Sequence, residues 1–193
     1  MDFQTRSPTN RQKGDSKNMN MPSSFQIVID HFKRNGWGFQ LDANRPLLYA
    51  GFRGQNGNFR CVAFVEEADD LVQVVSFVPV VVPSHKLNVV AELCTRLSHG
   101  MKMGRFELDH AKGELRFHTS SPYPKGDLKD EVFQRVLGVN LVMVDQHFTA
   151  VIDVIYGNVS PAEAVSQVRA KILKPRQAEP VPEVQTPSRI SFN

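Results

Sequence analysis

Residues 47–65, LLYAGFRGQNGNFRCVAFV, decide the fold class. Two apolar runs flank Asn56-Gly57, the dipeptide that most favours a tight β-hairpin turn, because Asn and Gly tolerate left-handed backbone. If that dipeptide forms the turn, Phe52 faces Cys61, Ala50 faces Ala63 and Leu48 faces Val65. Side chains alternate with a period of two, so all six residues then share one face, as a sheet packed under helices requires. The segment predicts an antiparallel sheet with one strongly apolar side.

Upstream, Ser23 or Ser24 is placed to cap a helix whose stripe is Phe25, Val28, Ile29 and Phe32, ended by Asn35-Gly36. Trp37 reads as a core or edge anchor, and residues 38–42 as a short extra strand. Downstream, residues 71–82 are apolar on both sides, which predicts a strand covered on both faces. Pro79 places the far end of that strand at an edge or a bulge. Pro83 stops it and Ser84 is placed to cap a second helix, with Leu87, Val90, Leu93, Cys94, Leu97 and Met101 on its core face.

A second hairpin runs from 104–108 to 114–119. Phe106, Leu108, Leu115 and Phe117 share one face, and Glu107 stands opposite Arg116, a favourable cross-strand pair. From 127 to 155 the helical period returns, with Phe133, Val136, Leu137, Val144, Phe148, Val151 and Ile155 on one stripe. Val132, Val139, Val142 and Met143 fall outside it. A helix with one buried face does not need this second patch, so these four residues are the candidate dimer or partner surface. Asn140 interrupts the stripe, as a satisfied core amide or as a device that fixes dimer register. Ser160-Pro161-Ala162-Glu163 opens a last helix with a capping box and Pro at its first position. The reading is an α+β fold, ordered α-β-β-β-α-β-β-α-α, with an antiparallel sheet of five or six strands packed with helices.

A chain of 193 residues suits one domain, here 23–170, between an N-terminal tail (1–22) and a Pro-rich C-terminal tail (171–193), both expected to be disordered. Each tail holds four basic and two acidic side chains. Subtracting both from 23 basic and 20 acidic residues leaves 15 and 16 for the domain, which is close to neutral. A nucleic-acid-binding domain normally concentrates its positive charge on the folded surface, so nucleic acid is disfavoured as a partner. No run of eighteen apolar residues exists, which argues against a membrane span. The first residues lack the apolar stretch of a signal peptide. Cys61 and Cys94 form neither a disulfide framework nor a zinc spacing. A reducing cytoplasm is the expected location.

No constellation of reactive groups stands out. Of the six histidines (His31, His85, His99, His110, His118 and His147) none lies four residues from another on a helix, and HExxH is absent. Asp109, His110, Glu114 and His118 meet the chemical needs of a metal site or of acid–base work only if the second hairpin brings them together. Alternation alone predicts a solvated outer face instead. Cys61 and Cys94 lie in apolar stripes, where a thiol packs rather than reacts. The glycines of GFRGQNG lack the lysine and following helix of a phosphate-binding loop.

Residues 80–120, VVVPSHKLNVVAELCTRLSHGMKMGRFELDHAKGELRFHTS, resemble the YbjN-type domain, a family described as a bacterial sensory transduction regulator. The likeness lies in a strand ending in Val-Pro, a helix with Glu-Leu-x-x-Arg-Leu character, a Gly-x-Phe-Glu-Leu-Asp strand, and then Gly-Glu-Leu-Arg-Phe with Thr-Ser. The earlier hairpin and the SPAEAV helix start extend it to about residues 23–170. The chain departs from the family at Ser98, near which members often carry Asn. The resemblance implies a fold like the chaperones of type III secretion, small non-catalytic α+β homodimers that hold extended client segments.

Together these readings predict a non-enzymatic protein-binding module, regulatory or chaperone-like, working as a homodimer on a protein client without a cofactor or metal. The alternative is a nucleic-acid-associated regulator using the tails with Arg45, Arg53 and Arg60. A metal-dependent enzyme built on Asp109, His110, Glu114 and His118 is the third reading.

Overall fold

The computed structural model describes residues 23–173. Both predicted tails fall outside the described residues, apart from Lys171, Ile172 and Leu173, which continue the last helix. The chain forms α1 (Ser23–Arg34), β1 (Gln40–Leu41), β2 (Leu47–Arg53), β3 (Asn58–Glu66), β4 (Leu71–Val81), α2 (Leu87–Ser98), β5 (Arg105–Asp109), β6 (Glu114–Pro122), α3 (Asp130–Ile155) and α4 (Pro161–Leu173). The six strands make one antiparallel sheet in the order β1-β2-β3-β4-β6-β5, with four helices, an α+β fold. The extra strand before the first hairpin is β1.

The first hairpin keeps its apolar face but not its expected register. Ala50 pairs with Cys61, Phe52 with Phe59 and Leu48 with Ala63. The turn is Gln55-Asn56, closed by Gly54 N–H donating to the Gly57 carbonyl at 2.7 Å. A turn centred on Asn56-Gly57 needs positive φ at both residues, and neither adopts it. The slip is two residues, an even number, so every side chain stays on its predicted side. The second hairpin matches expectation: Phe106 pairs with Phe117 and Glu107 with Arg116, whose Nε lies 2.7 Å from Glu107 Oε2.

All four helices cover the same face of the sheet. The covered face divides into two apolar clusters. One joins α1 to β2, β3 and the first half of α3 through Phe25, Phe32, Leu48, Ala63, Phe133 and Leu137. The other joins α2 and α4 to β6 and the second half of α3 through Leu93, Leu115, Phe117, Val151, Val154 and Val168. β4 is buried on both faces from Val72 to Ser76, as expected, although no described helix lies on its outer side. Its apolar outer side chains are explained by flanking strands, β3 and β6, rather than by a second layer of helices. Pro79 sits at a register shift between Phe77 and Val81, past the last β3 partner, where a missing N–H costs no ladder bond.

The serine caps resolve differently at each helix. Neither Ser23 nor Ser24 precedes α1, because both lie inside it, and Ser24 Oγ is buried without a partner among the described residues. Ser84 starts a 3₁₀ turn and makes no side-chain cap; α2 begins only at Leu87. Ser160 does cap α4, its Oγ accepting from Glu163 N–H at 3.3 Å.

By length and composition α3 is apolar enough to cross a membrane. In this fold it is the central helix, and Asn140, Asp145 and His147 are buried along it with protein partners. Asn140 lies where the two clusters meet. Its Nδ2 donates to the Val74 carbonyl (2.9 Å), the Phe117 carbonyl (3.1 Å) and Thr119 Oγ1 (3.0 Å). Of the two roles left open for it, the structure shows a satisfied core amide.

Candidate partner interface

The C-terminal end of α1 builds one wall of a groove. Gly36 adopts φ +66°, its N–H donating to Lys33 O (3.0 Å), while Trp37 N–H donates to Phe32 O (3.0 Å). This pair of bonds is a Schellman cap, which brings the residue after Gly against the last helical turn. Trp37 accordingly packs edge-on to Phe32, with ring centroids 5.6 Å apart, and to Phe52 at 5.7 Å.

The opposite wall is the first half of α3. Between the walls lies an open groove of about 530 Å³, lined by Trp37, Phe52, Leu137, Leu141 and Val142, with Gly138 leaving space in its α3 wall. Arg34, Asn35, Asp130 and Gln134 line it as well and supply polar groups. His31, buried under Trp37, donates from Nδ1 to Asp130 Oδ1 at 2.8 Å, and Arg34 pairs with the same carboxylate. Asp130 also opens α3, where a negative charge suits the helix dipole. An apolar floor with a few fixed polar groups is how ligand and partner grooves are generally made.

The four residues singled out on the long helix separate. Val132 packs against the α1 cluster and Met143 against the α2–α4 cluster, so both serve their own subunit. Val139 is half-buried, and Val142 is 38% exposed and lines the groove. Sequence reasoning missed Leu141 and the His31–Asp130–Arg34 group. Leu141 was hidden by its position between two stripes, and the ion pairs by a separation of about one hundred residues.

A second polar site holds the first hairpin to α3. The Asp145 carboxylate accepts from Asn56 N–H (2.8 Å), Gln55 N–H (3.1 Å) and Asn56 Nδ2 (3.2 Å). Asn56 Nδ2 also reaches the Asp145 carbonyl at 3.0 Å. A Cβ on Gly54 would stand 2.1 Å from Asp145 Oδ1, so Gly is needed for close approach. The loop amides of GFRGQNG do cradle an anion, and it is the chain's own carboxylate.

The candidate catalytic groups do not converge. Asp109 Oδ1 accepts from Ala111 N–H and Lys112 N–H in the turn, and His110 is exposed there. His118 instead contacts Gln73 Oε1 (2.7 Å) and Glu107 Oε1 (3.2 Å). Burial raises the Glu107 pKa, but bonds from His118 and Arg116 and the charge of Arg105 outweigh it, leaving the group below the usual carboxylate range. Among the described residues no three His, Cys, Asp or Glu side chains are grouped to hold a metal. Burial pushes both thiols up to about 12, for Cys61 against the opposing influence of the neighbouring Ser76 hydroxyl. Of the three arginines proposed for nucleic acid, Arg45 pairs with Asp42 and lies apart from Arg53 and Arg60, which share the outer sheet face on adjacent strands, with Arg60 4.5 Å over the Phe77 ring.

No curated protein matches the chain. Among solved structures, a chain of the crystal structure of the ExsC-ExsE complex is similar in fold, with a TM-score of 0.42 and 16% identity over 64% of this chain and 90% of that one. The family model named YbjN and described as "Putative bacterial sensory transduction regulator" matches residues 24–153, and the chain belongs to that family.

Proposed function

We propose that this chain is a non-enzymatic, regulatory protein-binding module that acts in the cytoplasm as a homodimer, one domain between two tails. The groove between the end of α1 and α3 carries the reading. It presents exposed Val142 beside the partly buried Leu141 and Trp37, framed by Arg34, Asn35 and Gln134. Val139 extends the same surface along α3, with Val132 and Met143 supporting it from within. The partner that fits is a protein segment offering an apolar side chain to the floor and polar groups to the rim. Membership of a regulator family and two free, buried thiols are consistent with such a role.

A photo-reactive residue placed at Val142 in the native host tests it. The expected result is crosslinking to a discrete protein, lost when Leu141 is changed to Glu and absent in a control with the probe at exposed Glu163. Equal labelling from Val142 and Glu163 would remove the groove as the site.

A further inference from the structure

No described helix covers the outer face of the sheet. Alternation places Tyr49, Gly51 and Arg53 of β2 there, with Arg60, Val62 and Phe64 of β3, Gln73, Val75 and Phe77 of β4, and Arg116 and His118 of β6. The middle of this face is apolar: Val62 stands beside Val75 on the two central strands, and Val75 is only 7% exposed. Charges of both signs lie on this face: Arg105 and Arg116 are already paired with Glu107, and Glu66 lies at the end away from Arg53. Arg53, without an ion pair among the described residues, lies on the β2 side; Glu114 and Asp109 lie on the β6–β5 side.

We propose that this face binds a second copy of the chain, sheet against sheet, about a two-fold axis that runs along the strands between β3 and β4. The inference rests on the homodimer of the proposed function and gives it an interface separate from the groove.

Three features of the register support a second copy over other occupants. Such an axis exchanges β3 with β4 and β2 with β6 at constant height along the strands, as an isologous contact demands. Val62 of one copy then meets Val75 of the other. Arg116 meets Gly51, whose Cβ position has no atom within 4 Å, so a long side chain faces a space. Arg53 meets Glu114, so opposite charges face each other twice, once on each side of the axis. Charge also argues against a polyanion, because Arg53, Arg60, Arg105 and Arg116 are matched by Glu66, Glu107, Asp109 and Glu114 on the same face. At about 4.8 Å per strand and 3.3 Å per residue the face offers roughly 500 Å² per copy. The total of about 1,000 Å² lies at the low end for a specific interface.

A cysteine pair tests the geometry on the full chain. Arg53→Cys and Glu114→Cys in one chain are three strand spacings apart, about 14 Å, too far for an internal disulfide. Mild oxidation is expected to yield a covalent dimer from the double variant and none from either single variant. Sedimentation supplies the second measurement. The wild-type chain is expected to be dimeric at tens of micromolar, Val62→Arg monomeric with an unchanged circular dichroism spectrum, and Val142→Arg still dimeric. A wild-type monomer, or a dimer that survives Val62→Arg and is dispersed by Val142→Arg, overturns the inference. A wild-type chain that is monomeric while its Val142 probe still crosslinks a partner would remove this interface and leave the partner groove standing.

Discussion

Ser76 Oγ on β4 donates to Asn140 Oδ1 on α3 at 2.5 Å, and both side chains are completely buried. Asn140 thereby uses its oxygen on one strand and its nitrogen on two carbonyls and Thr119, while Thr119 Oγ1 lies 3.2 Å from the Val136 carbonyl of α3. The network ties the central helix to β4 and β6 where the two apolar clusters meet. A buried network is strong only while complete, since each orphaned partner bears its full desolvation penalty.

Asn140→Leu is expected to cost about 3 kcal/mol of unfolding free energy, more than Ser76→Ala at about 1–2 kcal/mol. The two changes share partners, so their double-mutant cycle should show a coupling of about 1 kcal/mol or more. Urea titrations of the four proteins measure it, and strict additivity would show that the network is not cooperative.

Asp145→Ala should free the hairpin tip, at a cost of about 2 kcal/mol. Amide exchange at Gln55 and Asn56 should accelerate far more than at Cys61. Gly54→Ala forces a methyl into the same carboxylate and should loosen the same amides. Combining the two should cost less than their sum, because removal of Asp145 relieves the clash. Full additivity would argue that Gly54 is needed for another reason.

This site shows where the sequence is opaque. Period-two alternation revealed which face of β2 and β3 is buried, and Asn140 announced itself by breaking an apolar stripe. Local pattern does not contain Asp145, which on its helix looks like any solvated carboxylate until a loop ninety residues away folds onto it. The same long-range contact explains the register. Asn56-Gly57 favours a left-handed turn locally, but binding of Gln55 and Asn56 amides to Asp145 selects a different turn. The groove was half legible: Val142 stood out as an apolar residue beyond the core stripe, whereas Trp37 and Leu141 needed the packing of α1 against α3.

Burial of His147 lowers its pKa from the ordinary 6.5, with a bond to the Met143 carbonyl acting weakly the other way. The unfolded chain therefore takes up a proton first as pH falls. Stability contributed by the neutral imidazole is complete above about pH 6.5 and declines below it. Between pH 7.5 and 5.5 the unfolding free energy of wild type relative to His147→Leu should fall. A difference that stays flat or rises with acid would contradict this.

The two thiols titrate in the opposite range. Burial holds Cys61 and Cys94 at about 12, against 9 for an ordinary thiol. Above pH 9 the unfolded chain loses protons that the folded chain keeps, so stability falls as pH rises, by up to about 1.4 kcal/mol per unit for each thiol. At pH 8 a thiol reagent should leave both untouched in the native protein and titrate both in denaturant. Rapid labelling of either native thiol would place it at a more accessible site than its packing indicates.

Ser98 has a definite task. It ends α2, and its Oγ accepts from Phe106 N–H at 3.0 Å on the outer edge of β5. An unpaired edge N–H is a template for adventitious strand pairing, and this bond closes one of them. Ser98→Ala should cost about 1 kcal/mol and speed exchange of the Phe106 amide. Ser98→Asn supplies a carbonyl acceptor at the same helix end and should restore most of both. If Ser98→Asn exchanges as fast as Ser98→Ala, the hydroxyl's short reach is essential to the bond.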